Sequence, residues 1–222
     1  MYIDSYWERT APGLWGEPAN AVTNVAFLLA SGVLIWLLAG QRRAVPASLR
    51  LLPYLLGVVG LCSLAFHLLA TRATAALDSL SILLFILAAV VLLAHHMWGL
   101  PWRRAWWAAP GYVAFAIGTT AALAAVGGER AVLGGYVPAL VSLLVLAGLL
   151  RWTAPAPARR YAGWLLVAAG IFTVSLTLRT LDGPLCGRLP IGTHFPWHCL
   201  NAAVLFIVAY AVVHRWQWNR TG

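Results

Sequence analysis

Two histidines four residues apart, His194 and His198, stand at the start of the last apolar segment of the chain. Positions i and i+4 of a helix lie on the same face, so both imidazole rings can reach one ion. A third histidine, His67, lies in an earlier apolar segment. Catalytic zinc usually has three protein ligands and one position open to water. The pattern therefore predicts a zinc site with His67, His194 and His198 as its ligands.

A serine and a carboxylate accompany His67. Ser63 lies one helical turn before it, and Asp78 is the only acidic residue inside the predicted membrane segments. An ionised carboxylate in a membrane helix costs on the order of 3 kcal/mol, so Asp78 needs a partner. That partner is either a metal ion with its water or an arginine, Arg72 or Arg179. As a catalytic group Asp78 can accept and return a proton; Ser63 can stabilise an oxyanion or simply bond to its own helix.

The composition places these residues in a membrane. Hydrophobic residues make up 62% of the 222 residues and charged residues only 9%, whereas about 25% of a soluble domain is charged. Apolar segments of about 20 residues, the length that crosses a bilayer, are predicted at 19–38, 50–70, 75–96, 106–126, 131–150, 161–180 and 194–214. We therefore predict an all-α polytopic membrane protein, a seven-transmembrane-helix bundle formed by a single domain over residues 1–222.

The arginines predict the orientation. All fifteen basic residues are arginine, and ten fall on one side of the predicted membrane: Arg42, Arg43, Arg50, Arg103, Arg104, Arg151, Arg159, Arg160, Arg215 and Arg220. The positive-inside rule then places the N-terminus outside and the C-terminus in the cytoplasm. This threading brings His67, Asp78 and the His194–His198 pair to one external-side layer. The short, lysine-free chain is typical of bacteria, so we expect the inner membrane, with the active site towards the periplasm.

The charge pattern also excludes two classes of protein. The net charge is +9, but the arginines stand singly or in pairs at segment ends rather than in a basic stripe, so nucleic-acid binding is not expected. A retinal Schiff base needs a lysine amine, and the chain has no lysine. A seven-helix opsin is therefore excluded.

The N-terminal segment, residues 1–18, is acidic. It carries Asp4, Glu8 and Glu17, and calcium prefers carboxylate, carbonyl and amide oxygen ligands. On the predicted topology this segment is an external loop. It is either a calcium site or a solvated tail.

Taken together, these residues resemble the alkaline ceramidase family, part of a superfamily of seven-helix membrane hydrolases that includes the progestin and adipoQ receptors. The resemblance extends over most of the chain. It is carried by Glu17-x-x-Asn20-x-x-Thr23-Asn24, Ser63-x-x-Phe66-His67, Leu77-Asp78, Asp182-x-x-x-Cys186 and His194-x-x-Trp197-His198.

The resemblance implies hydrolysis of the N-acyl amide of ceramide to a sphingoid base and a fatty acid, with the acyl chain held among the helices. It implies a catalytic Zn²⁺, a serine and an aspartate that assist the chemistry, and a Ca²⁺ ion at the N-terminal loop. The zinc ligands of the family match His67, His194 and His198 here. The assisting serine and aspartate match Ser63 and Asp78, and the calcium-binding acids match Asp4, Glu8 and Glu17. Water activated at the zinc would attack the amide carbonyl while Asp78 transfers the proton.

Other interpretations of the same residues remain open. The zinc site could act on another N-acyl lipid. The histidines could instead ligate haem in a cytochrome b-like electron-transfer bundle, which a Soret band and bound iron would reveal. A seven-helix receptor without catalysis is a further alternative, and a lipid-hydrolysis assay would separate it from an enzyme.

Overall fold

The computed structural model describes residues 2–3, 6–41, 44–127, 135–185, 187–189 and 191–218. Within these ranges the secondary structure is helical, and the strand-like pairing is an isolated bridge between Tyr2 and Thr71. The helices are α1 (Pro18–Thr23), α2 (Val25–Ala39), α3 (Ala47–Leu69), α4 (Arg72–Trp98), α5 (Trp102–Ala105), α6 (Ala108–Gly127), α7 (Val137–Thr153), α8 (Tyr161–Thr180) and α9 (Phe195–Trp218).

Several of these helices are long and apolar enough to cross a membrane. In the described part of the chain there are six such segments: Pro18–Ala39, Ala47–Leu69, Arg72–Trp98, Trp102–Gly127, Ala156–Thr180 and Phe195–Trp218. The fifth predicted segment, 131–150, corresponds to the shorter apolar helix α7, and residues 131–134 lie outside the described residues. The prediction of an all-α membrane protein is confirmed. Its orientation and its organisation as a single domain stay predictions.

The chain forms two compact units. The first consists of Met1–Ile86 and Val174–Phe206, and the second of Leu87–Thr173 and Ile207–Gly222. The described site residues predicted from the sequence all belong to the first unit. The second unit contains an apolar cavity of about 430 Å³ whose lining includes Trp98, Tyr112 and Ser142.

Close packing of α2 against α3 fixes the helix that carries Ser63 and His67. A Cβ atom added at Gly60 of α3 would lie 2.8 Å from the Cβ atom of Phe27 on α2. Small residues allow membrane helices to approach in this way. The hydroxyl of Ser31 on α2 also donates a 2.7 Å hydrogen bond to the carbonyl oxygen of Pro53 on α3.

The segment before α1 crosses the C-terminal end of α3. The backbone N–H of Gly13 donates to the carbonyl oxygen of Leu68 at 2.7 Å, and that of Ile3 donates to Ala70 at 2.8 Å. Ala70 ends α3 in the left-handed conformation, with φ 49°. The N-terminal segment is therefore held against the last turn of α3, where His67 lies.

Candidate metal centre

Three buried histidines meet where α3 ends and α9 begins. His67, His194 and His198 are each at most 2% exposed, and one ring nitrogen from each lies within 4.8 Å of the others. The Nε2 atoms of His67 and His198 are 3.0 Å apart. In the described ranges this is the one group of three or more histidine, cysteine or acidic side chains close enough to share an ion. The structure thus brings together the three ligands suggested by the sequence.

Hydrogen bonds to the outer nitrogens fix the tautomers of two of these rings. The Nδ1 atom of His67 lies 2.9 Å from a carboxylate oxygen of Glu17, which can only accept. The hydroxyl of Thr23 donates to the carbonyl oxygen of Ala19 at 2.7 Å, so it accepts from Nδ1 of His198 at 2.8 Å. Both Nδ1 atoms therefore carry a proton, so in the neutral form of each ring Nε2 is the atom that can ligate a metal.

The Nε2 atoms of His67 and His198 are close enough to share a cation, either a metal ion or the proton of a hydrogen bond. Two nitrogen ligands of a tetrahedral zinc ion, each about 2.0–2.1 Å from the metal, are roughly 3.3 Å apart. The 3.0 Å between the Nε2 atoms of His67 and His198 is close to that spacing. The geometry and the tautomers of these two rings both fit a metal ion.

His194 contributes the third ring of the cluster. Its Nδ1 atom is buried and has no hydrogen bond within the described residues, and leaving such an atom unsatisfied costs free energy that a metal bond would offset. The ring stacks on Tyr6, with centroids 3.7 Å apart. Burial, followed by the rings of His198 and His67, lowers the pKa of His194 well below its ordinary value. The ring is therefore neutral, as a metal ligand must be.

Glu17 is the carboxylate that orients His67. It is fully buried, pairs with the guanidinium of Arg9 and accepts a 3.1 Å hydrogen bond from the side chain of Asn20. Burial raises its pKa, but its interaction with His67 and the hydrogen bonds from Arg9 and Asn20 together lower it below the usual value. Glu17 is therefore ionised at neutral pH. A carboxylate behind a ligating histidine fixes the ring and increases its basicity.

Asp182 holds the backbone from which His194 projects. One of its carboxylate oxygens accepts the backbone N–H groups of Thr193 at 2.7 Å and His194 at 3.0 Å, and the other accepts that of Trp7 at 3.0 Å. Backbone N–H groups at the start of a helix have no partner within the helix, and a negative charge there is favourable. The sequence offered Asp182 only as part of a motif. An acidic residue shortly before the histidine-bearing helix was the available signal for this role.

Asp78 and Ser63 lie beside the histidine cluster. Ser63 is buried on α3, and the Asp78 carboxylate on α4 interacts with the Ser63 hydroxyl and with the side chains of His67 and Arg179. The Oδ1 atom of Asp78 is buried without a hydrogen bond from the described residues. A carboxylate oxygen next to the candidate metal centre is thus left to interact with a ligand or a substrate.

The two described acids of the predicted calcium site bind N–H donors instead. Both carboxylate oxygens of Glu8 accept backbone N–H groups at the start of α1, from Ala19 and Asn20, at 2.8 Å each. Glu17 faces the Arg9 guanidinium, which repels a second cation. Asp4 lies outside the described residues, as does Cys186. Calcium binding gains no support from the described residues and stays a prediction.

Substituting Thr23 with valine tests the hydrogen bond behind His198. The change keeps the shape of the side chain but removes the acceptor for Nδ1, so we expect zinc affinity to fall by about 10–100-fold. Competition with a chromophoric chelator measures this affinity. Thr180→Val is the matched control, because the Thr180 hydroxyl bonds to the Leu176 carbonyl of its own helix. Equal affinities in the two variants would contradict the role given to Thr23.

Comparison with known proteins adds one finding. A family model described as Ceramidase matches residues 13–221, nearly the whole chain. The matched range includes Glu17, Ser63, Asp78 and the three histidines. No curated protein gives a significant match.

Proposed function

This chain belongs to the ceramidase family, whose members hydrolyse the amide bond of ceramide, and from that premise we propose a zinc-dependent mechanism. The chain is then a membrane amidohydrolase that converts ceramide-like lipids to a sphingoid base and a fatty acid. The observation that carries the proposal is the convergence of three buried imidazoles, two of them with their Nε2 atoms 3.0 Å apart.

The chemistry of the three ligands favours zinc. Neutral imidazole nitrogens suit zinc, which in catalytic sites takes three protein ligands and leaves a fourth position open. Calcium and magnesium instead select oxygen ligands. A haem iron would require imidazoles on opposite sides of a macrocycle, whereas the rings of His67 and His198 touch through their Nε2 atoms. This contact favours a single metal ion over haem.

The chain's own residues supply the proton transfers. When bound, zinc acts as a Lewis acid towards the amide carbonyl and lowers the pKa of a water. Asp78 accepts a proton from the attacking water and returns it to the nitrogen of the leaving amine. Ser63 donates a hydrogen bond to the carbonyl oxygen as it gains negative charge. The C–O bond forms first, and the C–N bond breaks once the nitrogen is protonated and the carbonyl re-forms, so the products are an amine and a fatty acid.

The lipid substrate defines how the site must open. Its alkyl chains are expected to lie among the apolar helices, with the amide at the depth of His67 and Asp78. The excess of arginines at the opposite ends of the segments supports an active site on the external side, which is the periplasm in a bacterium.

Removal of the metal is the direct test of this function. Purified wild-type protein is expected to contain about one zinc per chain and to release fatty acid from ceramide in lipid vesicles. Treatment with a strong chelator should abolish hydrolysis, and added zinc, but not added calcium, should restore it. Full activity in protein shown to be free of metal would overturn the zinc-dependent mechanism. A panel of other N-acyl lipids in the same assay would show which amide is cleaved fastest.

A further inference from the structure

Arg9 carries a buried positive charge next to the metal centre. It is 4% exposed, and its Nε atom donates to one carboxylate oxygen of Glu17. Its Nη1 atom donates to the carbonyl oxygen of Ile3 at 2.7 Å, and its Nη2 atom lies 3.5 Å from that of Phe66. The guanidinium also lies over the rings of Phe66 and Tyr6, at 4.7 and 5.4 Å from their centroids. The N-terminal segment thus inserts an arginine into the site.

Neither member of the Arg9–Glu17 pair could be buried without the other. A buried charge is tolerated only when it is paired and hydrogen bonded. Arginine stays protonated at any physiological pH, and its planar group can bind several acceptors in fixed directions. Here those acceptors are a carboxylate and two backbone carbonyls.

The two oxygens of the Glu17 carboxylate have different partners. Oε1 accepts from Arg9, whereas Oε2 accepts from Nδ1 of His67 at 2.9 Å and from Asn20 at 3.1 Å. Arg9 therefore restricts the rotation that would turn Oε2 away from His67. The guanidinium also contacts the carbonyl oxygen of Phe66, the residue before His67 on α3. The guanidinium of Arg9 therefore contacts Glu17, which accepts the hydrogen bond from His67, and also the backbone of the residue before His67.

We propose that Arg9 is a positioning residue for the metal centre, which acts through Glu17 to hold His67 in its ligating orientation. The N-terminal segment is then part of the metal site. Its Arg9 guanidinium lies next to Glu17, where the sequence suggested a calcium ion. This inference rests on the proposed zinc site. It assigns to Arg9 no contact with the substrate or the metal.

The test measures zinc affinity in a set of variants of the full-length protein by competition with a chromophoric chelator. We expect Arg9→Met to weaken zinc binding by about 10–100-fold. Arg9→Lys keeps the charge but loses the planar group, so its loss should be smaller. Arg188→Met is the matched control, because Arg188 is an exposed arginine of the loop before α9. Its zinc affinity should equal that of the wild type.

A double-mutant cycle separates positioning from a general effect on folding. If Arg9 acts through Glu17, Arg9→Met combined with Glu17→Gln should bind zinc no more weakly than Glu17→Gln alone. The double variant leaves no unpaired buried charge, so it keeps the test decisive if Arg9→Met alone fails to fold. If the loss of zinc affinity in the double variant equals the product of the losses in the two single variants, the inference is overturned. So would a folded Arg9→Met variant with wild-type zinc affinity and only a lower melting temperature.

Failure of this inference differs from failure of the proposed function. If the wild type does not bind zinc, the proposed function fails and the inference fails with it. If the wild type binds zinc and Arg9→Met binds it equally well, only the positioning role of Arg9 is lost.

Discussion

Substitution of His198 with alanine is expected to abolish zinc binding and to reduce ceramide hydrolysis by at least about 1000-fold, equivalent to roughly 4 kcal/mol of transition-state stabilisation. The variant lacks the Nε2 atom that faces His67 at 3.0 Å, and two imidazoles alone do not form a catalytic zinc site. The amide carbonyl then loses its Lewis acid. Metal content by mass spectrometry and kcat/KM on ceramide vesicles measure the two effects.

His214→Ala is the control for this substitution. His214 lies on the same helix, α9, but belongs to the second unit, where its Nδ1 atom is 2.9 Å from the hydroxyl oxygen of Tyr161. This variant should keep both zinc and activity. A folded His198→Ala protein with one zinc per chain and wild-type kcat/KM would contradict the assignment of His198 as a ligand.

Substitution of Asp78 with asparagine should lower kcat by about 100–10,000-fold, the usual contribution of a general acid–base group, while zinc stays bound. The amide has the shape of the carboxylate but cannot accept the proton of the attacking water. The side chain lies beside Ser63 and the histidine cluster, yet no described residue donates a hydrogen bond to its buried Oδ1 atom. The fold therefore does not depend on that atom. Zinc content and kcat at saturating ceramide separate binding from chemistry.

Asp182→Asn provides the contrasting variant. One Asp182 oxygen accepts the backbone N–H groups of Thr193 and His194, and the other accepts that of Trp7. An amide has a single acceptor oxygen, so the substitution leaves at least one of these groups without its acceptor and should weaken zinc binding. With zinc supplied in excess, this variant should recover most of its kcat, whereas Asp78→Asn should not. Recovery of Asp78→Asn by added zinc would place Asp78 among the groups that bind the metal rather than those that transfer protons.

The convergence of His67, His194 and His198 could be predicted because two simple patterns agree. His194 and His198 are one helical turn apart, and the threading of the apolar segments put His67 and Asp78 at the same depth. Hydropathy also located the helices, since the predicted segment 50–70 corresponds to α3, Ala47–Leu69. Both patterns depend on local spacing, which a sequence states directly.

The roles of the residues that hydrogen bond to these histidines could not be predicted, because they depend on contacts between distant parts of the chain. Thr23 and its partner His198 are 175 positions apart in the sequence. Nothing in the sequence of α1 indicates that the Thr23 hydroxyl contacts a histidine. Glu17 was grouped with Asp4 and Glu8 because acidic residues near each other suggest a cation. Only the path of the N-terminal segment over the end of α3 reveals that Arg9 and His67 are its partners.

X-ray absorption spectroscopy at the zinc edge of the purified wild-type protein tests the metal centre most directly. The spectrum is expected to show a four-coordinate zinc with nitrogen or oxygen neighbours at about 2.0–2.1 Å and the multiple scattering of three imidazole rings. A sulfur neighbour at about 2.3 Å would indicate a cysteine ligand. That result, or a protein that hydrolyses ceramide without any bound zinc, would contradict the site formed by His67, His194 and His198.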